Sequence, residues 1–195
     1  LLHDVLAEQA HPEWLLCGEY LDPSLPQVQE YLRATIAQVK SWGFELLKHD
    51  FSTLDMFGSF GRDLNGTITK RANWAFADQT KTSAEIVLDF YRLIREACGD
   101  MIVIGCNTIS HLCAGLVEIN RTGDDTSGMS WNRTRAMGVN TLAFRMPQNG
   151  AFYITDADCV GIIPQKIDWK LNREWLRLLA QSGTPLFISC ANHVL

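Results

Sequence analysis

The feature that most restricts this chain is an alternation: short β-branched or apolar runs, each closing on polar residues, separated by amphipathic stretches of helical period. That is the pattern of βαβ units, in which every crossover returns the chain to the same end of a sheet and the strands run parallel. Residues 26–42 (PQVQEYLRATIAQVKSW) place Val28, Tyr31, Leu32, Ile36 and Val39 at helical spacing before Gly43, which predicts a helix with a glycine stop. Residues 44–47 predict a short buried strand ending at Lys48, His49 and Asp50, with a Gly-rich loop over 57–66. A second helix is predicted over 82–98, closed by Gly99, and delivers a strand over 101–105 that ends at Cys106 and Asn107.

Further strands are expected over 116–119, ending at Arg121–Asp125, and over 141–145 and 152–155, the last ending at Asp156 and Asp158. A helical stretch falls around 130–138, a final helix over 172–181 and a final strand over 185–189. About five strands with polar ends suit a (β/α)8 TIM barrel, whose chemistry belongs at those ends. A doubly wound sheet fits the alternation equally well, but the dinucleotide-binding form of it needs a GxGxxG after the first strand, which this sequence lacks. The barrel is preferred. A whole barrel takes roughly 250 residues, so the 195 residues here read as its C-terminal portion, about strands 3/4 to 8. Residues 1–195 are then a single domain cut at both ends, with a core left open along one side.

Composition narrows the function classes. Against 17 Lys and Arg stand 22 Asp and Glu, a formal charge of −5, and no basic run offers a nucleic-acid surface. No apolar stretch approaches membrane-spanning length, and no signal peptide is evident at the start. The expectation is a soluble chain, with cytoplasm and a secreted or periplasmic location both open. Six cysteines carry no CxxC spacing, so neither a zinc knuckle nor a redox motif is supported and small buried thiols are expected. His111 near Cys113 lacks the further ligands a metal would need.

Two strand ends present carboxylates in suggestive company, Asp50 in LLKHDF and Asp125 in INRTGDDT. Glycoside hydrolysis uses two carboxyl groups flanking one sugar ring. Side chains at i and i+2 of a strand share a face, so Lys48 and Asp50 would project together, and an ammonium there favours the ionised form a nucleophile needs. Arg121 lies four residues before Asp125, where its fork of donors could hold sugar hydroxyls. The competing reading of each Asp is a helix cap or loop fastener. Asp124 is an alternative to Asp125 if the register slips by one. Of the six tryptophans, Trp74, after Asp50, is the candidate for stacking on a sugar.

These motifs resemble, in order, those of the melibiase-type α-galactosidases of glycoside hydrolase families 36 and 27. GFELLKHDF resembles the strand carrying their nucleophile, and GCNTISHLCAGLVEINRTGDDT the next two strands, the last Asp being the acid/base. FYITDADCV resembles their DxD strand, LLAQSGTPLFIS their closing strand and LDPSLPQVQEYL the entry to a barrel helix. Ala157 stands where a proline is frequent, Cys159 where a methionine is common, and His49 where an aromatic or small residue is usual. The resemblance implies Asp50 as nucleophile and Asp125 as acid/base of a retaining glycosidase. Lys48, Arg121 and Cys106 would contact the first sugar, and Asp156 and Asp158 would support the mouth or touch sugar. No metal or organic cofactor is implied. The implied partner is a carbohydrate, most simply an α-galactoside, and a homo-oligomer is allowed. An inactive sugar-binding relative, or a transglycosylase or α-glycosidase of other specificity, is the alternative.

Overall fold

The computed structural model describes residues 1–58 and 68–190. Most of the Gly-rich loop expected over 57–66 therefore lies outside the described residues. Two compact units divide the chain, Leu1–Glu118 and Ile119–Leu195.

The first unit opens with helix α1 (Val5–Ala10), capped by the Asp4 carboxylate, which accepts hydrogen bonds from Leu6 N and Ala7 N at 3.0 Å. A short antiparallel hairpin follows, β1 (Leu15–Leu16) and β2 (Tyr20–Leu21), turning at Cys17 and Gly18 with φ of 46° and 80°. Helix α2 (Pro26–Ser41) starts on a proline, whose missing N–H costs nothing at a first turn, and buries Val28, Leu32 and Ile36. Strand β3 (Leu46–His49) leads into the short helix α3 (Ser52–Phe57). Helix α4 (Ser83–Cys98) begins with a capping box: Thr82 accepts from Glu85 N, and the Glu85 carboxylate accepts from Thr82 N at 2.7 Å. It delivers β4 (Ile102–Gly105), which runs parallel to β3 with Leu46 opposite Ile102 and His49 opposite Gly105.

The two faces of this ladder differ. Leu47 and Val103 are buried, whereas Leu46 and Ile102 are each 44% exposed. Between helices and sheet lie Ile86, Val87, Phe90, Leu93 and Ile94 of α4, all buried. The helix side holds the core, and the opposite face is exposed at Leu46 and Ile102 but buried at Ile104.

The second unit holds β5 (Ile119–Arg121), a helical stretch, β6 (Ile154–Asp156), β7 (Cys159–Ile162), helix α7 (Trp169–Ser182) and β8 (Phe187–Cys190). The helical stretch is α5 (Trp131–Arg133), a wider π turn (Thr134–Asn140) and α6 (Thr141–Arg145). β5 pairs parallel with β6, and β7 parallel with β8. The core gathers Leu142, Ala157, Val160, Trp175 and Leu179, with the Trp175 indole N–H donating to Cys159 O at 3.2 Å. Gly128, at φ 71°, and Gly161 meet backbone to backbone: a Cβ on Gly161 would stand 2.5 Å from the Gly128 Cα.

Several boundaries differ from the sequence reading. Residues 141–145 are helical, not a strand: Leu142 alone is buried, Phe144 is 84% exposed, and the segment continues the turns begun at Trp131. The strand expected over 116–119 lies at Ile119–Arg121, which makes Arg121 its last residue. The strand expected over 44–47 lies at Leu46–His49. No disulfide joins the six cysteines, of which Cys98, Cys106 and Cys113 are buried. What the described residues establish is α/β architecture with parallel ladders.

Candidate active site

In the first unit the site grows from the end of β3. Strand alternation buries Leu47 and His49 and sends Leu46 and Lys48 to the other face. Asp50 follows, its side chain 30% exposed, with Lys48 Nζ 3.9 Å from its Oδ2. The expected same-face pair is thus brought together. Asp50 Oδ1 accepts a hydrogen bond from Phe51 N at 2.7 Å and another from the Asn107 side-chain amide. Both Phe51 and Asn107 sit at positive φ, 61° and 52°, a region that asparagine tolerates better than most residues. The Asn107 carbonyl accepts from the Thr53 hydroxyl, and two residues on, Ile109 N donates to the hydroxyl of buried Tyr91 at 2.9 Å. Burial pushes the Tyr91 phenol up to about 12.

His49 faces the other way. It is 2% exposed, its ring 5.9 Å from Tyr91 and 6.4 Å from Phe90, and neither ring nitrogen has a hydrogen-bond partner among the described residues. Burial pushes it down to about 4, so at neutral pH it is an uncharged packing group beneath a charged face. On α3 a second buried group behaves in the opposite sense: Asp55, 4% exposed with Oδ2 unpartnered among the described residues, is pushed up to about 6 by burial. Cys106 is buried, its N–H donating to His49 O at 3.0 Å. Trp74 is half-buried. Its indole N–H donates to Met56 O at 2.9 Å, and its ring packs on Phe57 and Phe76.

The second unit holds a differently built cluster. Arg121, its side chain 8% exposed, meets three carboxylates: Asp158 Oδ1 at 2.6 Å, Asp125 Oδ1 at 3.1 Å and Asp156 Oδ2 at 3.4 Å. Asp156 and Asp158 are nearly buried, while the Asp125 side chain is 68% exposed. Asp156 Oδ1 accepts from Asp158 N, and Asp158 Oδ2 from Thr126 N, both at 2.7 Å. The DxD pair therefore fastens both Arg121 and the residue after Asp125. Asp124 is engaged elsewhere, accepting from Arg133 Nη2 at 2.9 Å, while Arg133 Nε donates to Asp125 O at 2.6 Å. The two neighbouring carboxylates are thus divided between two arginines. Sequence reasoning missed Asn107 as a partner of Asp50, and Thr126 as the residue Asp158 holds. An asparagine directly after a strand signals a left-handed turn, but its side-chain partner is not written in the local sequence. Among the described residues no three His, Cys, Asp or Glu side chains converge as metal ligands would.

No protein-family model matches this sequence, and no curated protein does. Solved structures do match. An α-galactosidase from Thermus thermophilus, in complex with p-nitrophenyl α-D-galactopyranoside, superposes with a TM-score of 0.68 at 15% identity over 96% of this chain and 41% of that one. The chain has an α-galactosidase-like fold. The same enzyme with stachyose gives 0.66 at 16% identity, covering 97% of this chain and 43% of that one. α-Galactosidase I from Mortierella vinacea gives 0.56 at 12% identity, covering 89% and 43%. The chain spans about two-fifths of the length of these enzymes. Among the described residues no helix is long and apolar enough to cross a membrane.

Proposed function

We propose that residues 1–195 are the later part of the (β/α)8 catalytic barrel of a retaining glycoside hydrolase. Its type is the melibiase-like family 36, and its substrates are terminal α-linked sugars, α-galactosides first. The observation that carries this reading is Asp50. It closes a parallel strand in a fold shared with α-galactosidases, with donors on one carboxylate oxygen and the Lys48 ammonium beside the other.

In this mechanism Asp50 attacks the anomeric carbon as Asp125 protonates the departing oxygen. Asp125 then takes a proton from water, which cleaves the glycosyl–Asp50 ester with overall retention. Lys48 and Arg121 contact sugar hydroxyls, Cys106 lines the pocket, and Asp156 and Asp158 hold Arg121 and the loop after Asp125. Trp74 serves an outer subsite, its N–H being committed to Met56. The likeness is to one enzyme solved in complex with p-nitrophenyl α-D-galactopyranoside and with stachyose, which supports galactose as the first sugar to try.

The test is hydrolysis of a panel of nitrophenyl α-glycosides by the full-length protein. An Asp50→Gly variant should be inert alone and, with azide, release a glycosyl azide of inverted configuration. Wild-type inertness across the panel, or full activity of Asp50→Asn, would sink the proposal.

A further inference from the structure

The two oxygens of Asp50 have different surroundings. Oδ1 accepts from Phe51 N at 2.7 Å and from the Asn107 amide. Oδ2 has Lys48 Nζ at 3.9 Å, an electrostatic neighbour beyond hydrogen-bond length. We propose that Asn107 is a positioning residue that ties down Oδ1 of Asp50 and leaves Oδ2 as the attacking atom; this rests on the glycosidase reading above.

Asn107 is itself anchored. Its carbonyl accepts from the Thr53 hydroxyl, and the following turn is fixed through Ile109 N on the buried Tyr91 hydroxyl. An asparagine needed only for its left-handed backbone would bond within its own turn. This one donates to a carboxylate 57 residues away in sequence.

The chemistry gives that bond a direction. In the first step the C1–Oδ2 bond forms as C1 parts from the leaving oxygen, which takes the proton of the acid. Oδ1 becomes the carbonyl oxygen of the ester. In the second step water gives a proton to the base and bonds to C1, while the C1–Oδ2 electrons return to Asp50. A carboxylate is a stronger acceptor than an ester carbonyl, so the donors on Oδ1 strengthen as the second step proceeds. Removing one therefore slows breakdown of the glycosyl-enzyme more than its formation.

Steady-state kinetics on nitrophenyl α-galactoside, with intact-mass spectrometry during turnover, tests this. Asn107→Ala should lower kcat about 10- to 100-fold, the range for a hydrogen bond to a charged group. KM should fall with it, and protein carrying one hexosyl group should accumulate. Asn107→Asp, of the same volume but without the donor, should lose more. Unchanged kcat and KM in Asn107→Ala overturns the inference, and so does a raised KM at constant kcat, the mark of a substrate contact. Wild-type protein is treated in parallel with 2-deoxy-2-fluoro-galactosyl fluoride. Labelling of Asp50 together with a silent Asn107→Ala removes the inference alone; wild-type inertness across the nitrophenyl α-glycoside panel removes the glycosidase reading and the inference with it.

Discussion

The Asp50 cluster of the first unit and the Asp125 cluster of the second hold a carboxylate in opposite ways. At Asp50 the contacts converge on the carboxylate itself: a backbone N–H and an amide donate to one oxygen, with an ammonium 3.9 Å from the other, around a side chain 30% exposed. At Asp125 the carboxylate is 68% exposed, and what is held is its partner, Arg121, clasped by two nearly buried aspartates. The first arrangement fixes the proposed nucleophile directly. The second fixes an anchor, from which the proposed acid/base takes its position while its carboxylate stays mostly exposed.

The largest expected effect separates the two on activity. Asp50→Asn should lower kcat on nitrophenyl α-galactoside on the order of 10⁴-fold or more with only a small change in melting temperature, because the amide oxygen still accepts from Phe51 N and Asn107. Equal residual activity in Asp50→Asn and wild type would erase the distinction drawn for the first cluster.

Next comes the anchor. Arg121→Met leaves Asp156 and Asp158 without their counter-charge and should cost about 3–5 kcal/mol of stability, measured by urea unfolding, besides abolishing turnover. Asp125→Asn should abolish turnover at nearly constant stability. If Arg121→Met unfolds no more easily than Asp125→Asn, the anchoring role is wrong.

A third expectation concerns pH and belongs to the first unit. His49 has a folded value of about 4 against an ordinary 6.5, so acidification protonates the unfolded chain first and stability falls from pH 6.5 to 4. Asp55 has about 6 against 3.8, so the folded state takes up its proton first and stability rises from pH 6 to 4. Each swing is about 3 kcal/mol at 1.36 kcal/mol per unit, and the two nearly cancel. His49→Phe should unmask a protein that gains stability from pH 6 to 4, and Asp55→Asn one that loses it. Identical pH profiles for the two variants would refute the opposition.

The smallest effect lies in the backbone of the second unit. Gly161→Ala drives a methyl to 2.5 Å from the Gly128 Cα and should cost about 1–3 kcal/mol, read as a lower melting temperature. A neutral Gly161→Ala would show that the loop after Asp125 gives way freely.

What was legible in the sequence follows from how local each signal is. Helices α2, α4 and α7 announce themselves through a 3.6-residue apolar period and punctuation such as Pro26, Thr82 and Gly183. The segment 141–145 was misread because Leu142 and Phe144 alternate as a strand would, and five residues are too few to betray a helix continued from upstream turns. β7 escaped notice because Cys159–Ile162 has neither length nor period. In the candidate site, Lys48 with Asp50 and Arg121 with Asp125 were readable as two- and four-residue spacings. Asn107 on Asp50 and Asp158 on Thr126 join residues 57 and 32 positions apart, contacts that spacing does not encode.

The buried His49 between Lys48 and Asp50 also bears on how this strand tolerates change in length. Side chains alternate with period 2, so one residue inserted directly after Leu46 would carry the ammonium and the carboxylate toward Phe90 and Tyr91 and turn the imidazole out. A two-residue insertion would restore the faces but overrun the register with β4. Length variation near this strand is therefore confined to its two ends, and a library of loop lengths should recover active clones there and none within LLKHD.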